Sequence, residues 1–412
     1  MSAQLTLLTA DWSRDECWHR KGLGVRVRTA HWSAATGWSS EPAELSDVLG
    51  SSPEAAARTA VFVFGASDLA VVAEPLAELT RALGPARMIG CSTAGEVLND
   101  QLSDDGLVVA TCQFDQARVS AAAVPVTDSA GSFEAGRLLA EQLLEQDREL
   151  AAIFILSDGI VVNGSDLVAG LAAGAPGVPV SGGLAADGPR FGQTWVLADG
   201  QPQAGYLAGL GFSGDSLQLG FGSAGGWDVL GPDRRITRSA GNVLYELDGQ
   251  PALALYKKYL GERADELPAS ALLFPLSVRP PEEPDHAVLR TVLAIDEQEQ
   301  SMTFAGDVPQ GSLARLMRAT IDRLVDGAEA AARQCGPGAG PDSDTLALAV
   351  SCVGRRLVMR RQSEDELTAA VAGLPAGATM LGYYSYGEIS PRGATSDLLN
   401  QTMTVTTLHE VA

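Results

Sequence analysis

Residues 382–390 read GYYSYGEIS, and similar turns occur at two earlier places in the chain. The first lies within GPARMIGCSTAGEVLN, which begins near residue 84, and the second lies within GAPGVPVSGGLAADG, which begins near residue 174. In each case a short apolar strand is followed by small or polar residues and then by a carboxylate, which is Glu96, Asp187 or Glu388. A pattern that returns three times predicts that the chain is built from repeated structural units.

The segments around the turns repeat as well. An apolar strand lies upstream of each turn, at 60–68, 151–159 and 346–355, and a helical pattern separates it from the turn. Another strand follows each turn, so the predicted unit is strand–helix–strand–turn–strand. Continuous apolar runs are typical of strands covered on both faces, and a helical crossover makes the two strands that it joins parallel. We therefore predict a two-domain α/β protein with mixed or parallel sheets.

The region 226–340 does not follow the repeat. It predicts a strand that begins at Trp227, a turn at Asp248-Gly249 that leads into a helix, a β-hairpin over 289–311 and an amphipathic helix over 311–335. These elements predict that the C-terminal half is α+β. We place an N-terminal extension at 1–24, a first domain at 25–225 and a second domain, which ends in the third repeat, at 226–412.

Composition and charge exclude several classes of function. The net charge of −22 argues against nucleic acid or an anionic membrane as the main partner, since both favour surfaces rich in Lys and Arg. No apolar run reaches the roughly 18–20 residues of a membrane span, and no basic segment of a signal peptide begins the chain, so we expect a cytoplasmic protein. The five cysteines form no CxxC pair and the four histidines no HExxH motif. We therefore expect reduced thiols and no histidine-rich metal site.

Small and polar residues at the ends of the predicted strands form the candidate ligand site. Ligands of α/β sheets tend to bind outside the carboxyl ends of the strands, and glycine lets backbone N–H groups approach a ligand closely. We expect the three turns to form the wall of a pocket. The predicted ligand-binding residues are Ser92, Thr93, Glu96, Ser157, Ser181, Gly182, Gly183, Arg355, Tyr384, Tyr386 and Glu388.

Several of these residues have a structural alternative. Arg355 follows a predicted strand, where it could hold a ligand carboxylate through two parallel hydrogen bonds or lie on the surface. Glu96 and Glu388 could receive a ligand amine or cap neighbouring backbone N–H groups. Tyr384 and Tyr386 share one face of a strand, where they could line a pocket or pack in the core.

Two other patterns predict structure and not function. Asp187 in LAADG is predicted to be a turn residue. The glycines of residues 209–214, GLGFSG, match a dinucleotide-binding fingerprint, but the segment that follows is typical of a strand, and the fingerprint requires a helix there. We predict a hairpin turn at these glycines.

The motifs GCSTAGEV, SGGLAAD, GWDVLGP…ITRSAGNVLYELDGQPAL, SCVGRR and GYYSYGEISP…LNQTMTV resemble, in order, those of the FIST family, over about residues 25–408. The resemblance implies FIST N and FIST C domains and a bacterial sensory module that binds a small ligand such as an amino acid. No kinase or other output segment is visible, so we expect a stand-alone sensor that acts on a separate partner such as a histidine kinase. We expect no enzymatic activity.

Two alternatives stay open. Some stand-alone relatives, of the NosP type, are described as haem proteins that sense nitric oxide; if haem binds, His31 or His286 is the candidate axial ligand. The other alternative is an enzyme that uses Glu96 or Glu388 as a general base, which requires a raised carboxyl pKa. A Soret absorption band would identify the haem protein, whereas an amino-acid sensor would gain thermal stability from its ligand.

Overall fold

The computed structural model describes residues 24–46, 52–84, 86–267, 269–283, 286–340 and 343–411. Within these ranges the chain forms three similar α/β units and one inserted, β-rich subdomain. Residues 1–23 of the predicted N-terminal extension, which include Cys17, lie outside the described residues. None of the helices in these ranges is long and apolar enough to cross a membrane.

The first unit contains the first predicted repeat. Its central strand is followed by a helix that begins at Leu69, after Asp68 accepts a hydrogen bond from the backbone N–H of Ala70. The elements are β1 (Arg26–Ser33), β2 (Gly37–Trp38), α1 (Pro42–Ser46), α2 (Pro53–Ala56), β3 (Thr59–Gly65), α3 (Leu69–Leu83), β4 (Arg87–Ser92), β5 (Glu96–Leu98), β6 (Gln101–Ser103) and β7 (Gly106–Gln113).

The second unit repeats the crossover strands, the crossover helix and the hairpin of the first, with one long helix, α4, between its first two strands. Asn163 caps the crossover helix by accepting hydrogen bonds from the backbone N–H groups of Ser165 and Asp166. The elements are β8 (Arg118–Pro125), α4 (Ser132–Gln146), β9 (Leu150–Ser157), α5 (Gly164–Gly174), β10 (Val180–Leu184), β11 (Val196–Ala198), β12 (Gln201–Gln203) and β13 (Tyr206–Ser213).

The third unit begins with a strand that is followed by the inserted subdomain. The unit's first strand is β14 (Leu217–Ala224). The inserted elements are β15 (Asp228–Val229), β16 (Arg234–Ala240), β17 (Val243–Leu247), β18 (Gln250–Pro251), α6 (Ala252–Leu260), β19 (Leu276–Arg279), β20 (Val288–Arg290), β21 (Val292–Asp296), β22 (Ser301–Phe304) and β23 (Leu313–Arg318).

The rest of the third unit follows the insertion. Its elements are α7 (Ile321–Gln334), β24 (Leu346–Cys352), α8 (Val353–Met359), α9 (Ser363–Gly373), β25 (Thr379–Ser385), β26 (Glu388–Arg392), β27 (Thr395–Leu399) and β28 (Met403–Glu410). The sequence-based boundary at 225/226 thus falls just after β14, where the insertion begins. As a division between two domains it stays a prediction.

Each unit gives the hairpin after its turn to the sheet of another unit. The crossover strands pair in parallel within each unit, as predicted: β3 with β4, β9 with β10 and β24 with β25. The following hairpins cross over, so that β5 pairs with β25, β11 with β4 and β26 with β10. This cyclic exchange ties the three units together through sheet hydrogen bonds.

The three sheets enclose one core and carry helices on their outer faces. The inner core joins Phe62, Phe154 and Leu348, one from each unit, and the rings of Phe62 and Phe154 meet edge to face at 5.5 Å between centroids. The outer face of the first sheet packs on α1 and α3, and the other outer faces pack on α4, α5, α7 and α9. The inserted strands pair antiparallel and cover α6 with a core of their own.

Two sequence-based expectations about local structure are wrong. The helix predicted over 311–335 begins only at Ile321, after the N-cap Thr320. Residues 313–318 form β23, whose backbone pairs antiparallel with β19. The glycines at 209–214 do not close a hairpin. They lie in β13 and the turn after it, which connects the sheet of the second unit to β14 of the third.

Candidate functional site

The three turns interlock through backbone hydrogen bonds. Each turn follows the second parallel strand of its unit and meets the turn of a neighbouring unit. The bonds run from Ala94 N to Tyr384 O (2.8 Å), from Ala186 N to Ser92 O (2.9 Å) and from Leu184 N to Gly387 O (2.9 Å). The structure therefore brings the predicted turns together, although most of their polar side chains are buried.

Glu96 begins the strand that the first unit gives to the third. Its side chain is only 1% exposed. Thr93 Oγ1 donates a hydrogen bond to Glu96 Oε1 at 2.6 Å, and Ser103 Oγ donates to Oε2 at 3.1 Å. Burial raises the pKa of Glu96 to about 7, although the two hydroxyl groups act in the opposite direction.

Glu388 has the same arrangement in the third unit. It is fully buried, and its carboxyl oxygens accept from Ser385 Oγ at 2.7 Å and from Thr402 Oγ1 at 2.9 Å. Burial raises its pKa to about 8, against the opposing effect of these hydrogen bonds. The motif Ser/Thr-x-Gly-Glu thus holds a buried acid in two of the three units.

We expect the stability of the wild type to fall as the pH rises from about 5 to about 8, and the Glu388→Gln variant to lose less. An unfolded glutamate ionises near pH 4.3, whereas folded Glu388 keeps its proton to pH about 8. Folding therefore takes up a proton in this window, at a cost of up to roughly 1.4 kcal/mol for each pH unit. Glutamine retains the neutral shape. Urea unfolding at several pH values measures how steeply the free energy of unfolding falls with pH, with exposed Glu364→Gln as control. Equal slopes for the wild type and Glu388→Gln would contradict the raised pKa of Glu388.

The second unit differs from the other two at this position. The first residues of the exchanged strands face equivalent positions of their partner sheets: Glu96 opposite Tyr383, Glu388 opposite Gly183 and Val196 opposite Cys91. An apolar residue thus stands where the other units have a buried acid. The connection between β10 and β11 is also longer, and its extra residues form a loop at 188–193.

Asp187 holds this loop in place. Its carboxylate accepts hydrogen bonds from the backbone N–H groups of Gly192 at 2.9 Å and Gln193 at 3.0 Å, and from the hydroxyl of Tyr386. Burial alone would raise the pKa of Asp187, but the hydrogen bonds together lower it below its usual value. Asp187 is therefore more than a turn residue, because it also joins the second unit to the third.

Residues of all three units meet under the loop. Arg190 donates to Ser67 Oγ, which follows β3, and its Nε lies 3.7 Å from Asp187 Oδ2. The ring of Phe191 stacks on Tyr386 with centroids 4.4 Å apart, and Phe191 has a φ of 49°, which is unfavourable for an aromatic residue. We call Ser67, Asp187, Arg190, Phe191 and Tyr386 the junction site. The Arg190 side chain is 65% exposed, so this site has a cation within reach of solvent.

Comparison with known protein families finds two domains of one family in the chain. The FIST N domain matches residues 59–250, and the FIST C domain matches residues 252–391. The chain belongs to the FIST family. FIST domains are small-ligand sensory domains of signal transduction.

Individual relatives of this FIST chain are distant. An uncharacterized protein of Methanocaldococcus jannaschii is 23% identical over 259 residues, which are 58% of this chain and about half, 49%, of that protein. A chorismatase structure is similar over 94% of this chain and 99% of its own, at 11% identity and a TM-score of 0.35. A cyanuric acid hydrolase from A. caulinodans is similar over 95% and 100%, at 8% identity and a TM-score of 0.37. Likeness at this level supports no conclusion about activity.

Arg355 of the FIST chain lies inside α8, and its hydrogen bonds go to residues outside the junction site. Both Arg355 and Glu366 are fully buried, and Nε of the arginine donates to Glu366 Oε1 at 2.6 Å. The other two nitrogens donate to the backbone oxygens of Gly225 at 2.6 Å and Leu324 at 2.7 Å. Tyr384 donates to the same carboxylate at 2.7 Å. Because these partners engage the guanidinium, we assign Arg355 and Tyr384 to the framework of the third unit.

Ser181, Gly182 and Gly183 lie inside β10 and not in the turn where we expected them. The glycines are required by packing. A Cβ on Gly182, whose φ is +133°, would lie 1.9 Å from the backbone oxygen of Ile155, and one on Gly183 would lie 2.7 Å from the oxygen of Gly387. The structure thus explains both glycines without a ligand.

Two serines of the predicted set make contacts within the protein. Ser157 ends β9, and its hydroxyl donates to the backbone oxygen of Asp158 at 3.0 Å. Ser92 Oγ accepts from the backbone N–H of Trp195 at 3.1 Å, which ties the first turn to the start of β11.

The two candidate haem ligands lie in different parts of the fold. His31 is in β1 of the first unit, and His286 precedes β20 of the inserted subdomain, with Nε2 3.1 Å from Asp397 Oδ2. Haem binding stays a prediction. A saturable Soret band on haem titration that His31→Ala or His286→Ala abolishes would support it.

Sequence reasoning missed Ser67, Arg190 and Phe191. Their signal was the length of the second connection: a carboxylate begins the exchanged strand directly after the turn in the first and third units, whereas GPRFGQ intervenes in the second. An insertion that occurs in one copy of a repeat is a candidate for function, since insertions in repeats map to loops.

Proposed function

We propose that this FIST chain is a cytoplasmic sensor that binds a small polar ligand at the junction site and acts on a separate signalling protein, such as a histidine kinase. One observation carries the proposal: an accessible cation and a buried carboxylate of the second unit meet a tyrosine hydroxyl of the third unit at one loop.

The chemistry of the junction site fits a small zwitterion such as an amino acid. The Arg190 guanidinium can bind a carboxylate through two parallel hydrogen bonds. Asp187 can accept from an ammonium group beside the bond that it receives from Tyr386. Phe191 lies over the site and supplies an apolar cover. The carboxylate of such a ligand would lie between Arg190 and the Ser67 hydroxyl and accept from both, in place of their direct contact.

A ligand at this place is coupled to the arrangement of the units. Because Ser67, Asp187 and Tyr386 belong to the first, second and third units, a ligand that contacts them favours the arrangement in which all three are close. A partner that reads this arrangement receives the signal by a shift of population. This mechanism requires only that the ligand has different affinities for the two arrangements.

Arg190→Ala is expected to weaken amino-acid binding by about tenfold or more, because it removes a charge-assisted contact worth roughly 1.5–3 kcal/mol. Isothermal titration with each of the common amino acids measures the affinity. Tyr386→Phe should weaken binding less, since Asp187 remains. The matched control is Arg148→Ala, which removes an exposed arginine outside the junction site. Equal affinity of the wild type and Arg190→Ala for every ligand that binds would overturn the placement of the ligand at the junction site.

We propose binding and not catalysis, but the buried acids favour one enzymatic alternative. The pKa values of Glu96 and Glu388, about 7 and about 8, suit a general base near neutral pH. Both carboxyl groups are buried and hydrogen-bonded to hydroxyl groups, so a substrate would have to displace those partners. If the chain turns over a metabolite, Glu96→Gln or Glu388→Gln should abolish turnover and leave binding of that metabolite intact.

A further inference from the structure

A cavity of about 220 Å³ lies between the first and second units, outside the junction site. The start of β4 and the hairpin β11–β12 form one wall, and β8 and β13 form the other. We call this space the seam cavity. Its size is sufficient for a molecule of a few non-hydrogen atoms, somewhat below the range of roughly 300–1,000 Å³ found for larger ligands.

Small side chains on β8 leave the seam cavity open. Ala121 and Ala123 face the inner core and line the cavity together with Ala208 of β13. The strand pairings show which residue takes the position of Ala121 in the third unit. Ala121 lies opposite Leu210 in the second unit, and at the equivalent position of the third unit Phe221 lies opposite Thr406. The second unit thus has a methyl group where the third has an aromatic ring.

Two opposite charges border the seam cavity. Arg87 at the start of β4 and Asp199 after β11 both line it, and both are exposed. Within the part of the chain that the structure describes, neither side chain forms a hydrogen bond or ion pair with another residue, nor do the two pair with each other. Arg87 thus offers a free cation, and Asp199 a free anion, at the border of one apolar floor.

We propose that the seam cavity is a second binding site, for a small molecule that has an acidic group and an ammonium group at opposite ends of a short apolar linker. Arg87 binds the acidic group and Asp199 binds the ammonium group. The methyl groups of Ala121, Ala123 and Ala208 contact the linker. The two charges of the protein do not meet, so a ligand whose charges are separated by a linker suits this site better than one whose charges are on neighbouring atoms.

A ligand in the seam cavity contacts two units at once. Arg87 belongs to the first unit, and Asp199 and the alanines belong to the second, so occupancy stabilises the contact between them. The site is independent of the junction site, because it shares no residue with it. Failure at one site leaves the proposal for the other unchanged.

The test is titration of the full chain with 4-aminobutyrate, and with butyrate and butylamine as probes that each lack one charge. We expect saturable binding of 4-aminobutyrate, and weaker binding of the two other probes by up to about fivefold. Arg87→Gln and Asp199→Asn should each weaken 4-aminobutyrate binding by about fivefold. Ala121→Phe, which copies the residue of the third unit, should abolish it. The control Arg148→Gln, at an exposed arginine outside both sites, should leave it unchanged.

Three outcomes would overturn the proposal: no saturable binding of 4-aminobutyrate, equal binding of the three probes, or equal affinity in the wild type, Arg87→Gln and Asp199→Asn. If Ala121→Phe does not fold, as circular dichroism would reveal, the two charge variants decide, because both residues are exposed and tolerate substitution.

Discussion

Arg355→Ala is expected to lower the free energy of unfolding by about 3–5 kcal/mol, because the change leaves buried Glu366 without its ion-pair partner. Both side chains are 0% exposed and lie 2.6 Å apart. The guanidinium also donates to the backbone oxygen of Leu324 in α7 and to that of Gly225 after β14. Its loss therefore loosens α7, α8 and α9 together.

The matched control is Arg323→Ala. Arg323 pairs with Asp228 at 3.0 Å on the surface, where about half of each side chain is exposed. Such pairs contribute about 0–1 kcal/mol. Urea unfolding of the two variants measures the difference. The double variant Arg355→Met, Glu366→Leu should lose less than Arg355→Ala alone, because it leaves no buried charge without a partner. Equal losses for Arg355→Ala and Arg323→Ala would show that the buried pair does not hold the third unit.

Gly182→Ala is expected to lower the free energy of unfolding by about 3–5 kcal/mol or to prevent folding. The new Cβ would lie 1.9 Å from the backbone oxygen of Ile155, and the φ of +133° is one that only glycine adopts without strain. Gly182 lies opposite Ile389, in the strand that the third unit gives to the second. A shift of β10 to relieve the clash would therefore disturb the exchange between units.

The control for this change is Gly177→Ala. Gly177 also has a positive φ, +81°, but nothing lies within 4 Å of the position of its Cβ. Gly177→Ala should lower the free energy of unfolding only by the backbone strain, about 1–2 kcal/mol. Thermal unfolding of both variants separates strain from close packing. If Gly177→Ala and Gly182→Ala are equally stable, close packing of β10 on β9 does not explain the glycine.

The repeated unit could be predicted from the sequence because its evidence is local. Each apolar strand, its crossover helix and its turn lie within one short segment, and parallel pairing follows from the helical crossover. The exchange of hairpins could not be predicted in this way. The pairing of Glu96 with Tyr383 joins residues that are far apart in the chain, and nothing in TAGEVL alone indicates which sheet it enters.

The candidate site could be predicted only in part, for physical reasons that particular residues show. The two neighbouring arginines of SCVGRR have the same chemistry, but Arg355 is buried against Glu366, whereas Arg356 reaches the surface and pairs with Asp104. Burial of this kind is decided by α7 and α9, which pack around α8. Arg190 was missed because it lies in a loop that the other two units lack.

Hydrogen exchange of the turn amides tests the central claim, that a ligand at the junction site acts on the arrangement of the three units. The amides of Ala94, Leu184 and Ala186 donate across the units, so their exchange reports how often the turns separate. With each common amino acid added in turn, we predict that at least one slows exchange at these amides in the wild type and has no effect in Arg190→Ala. Exchange that no amino acid changes, or that slows equally in both proteins, would contradict the account.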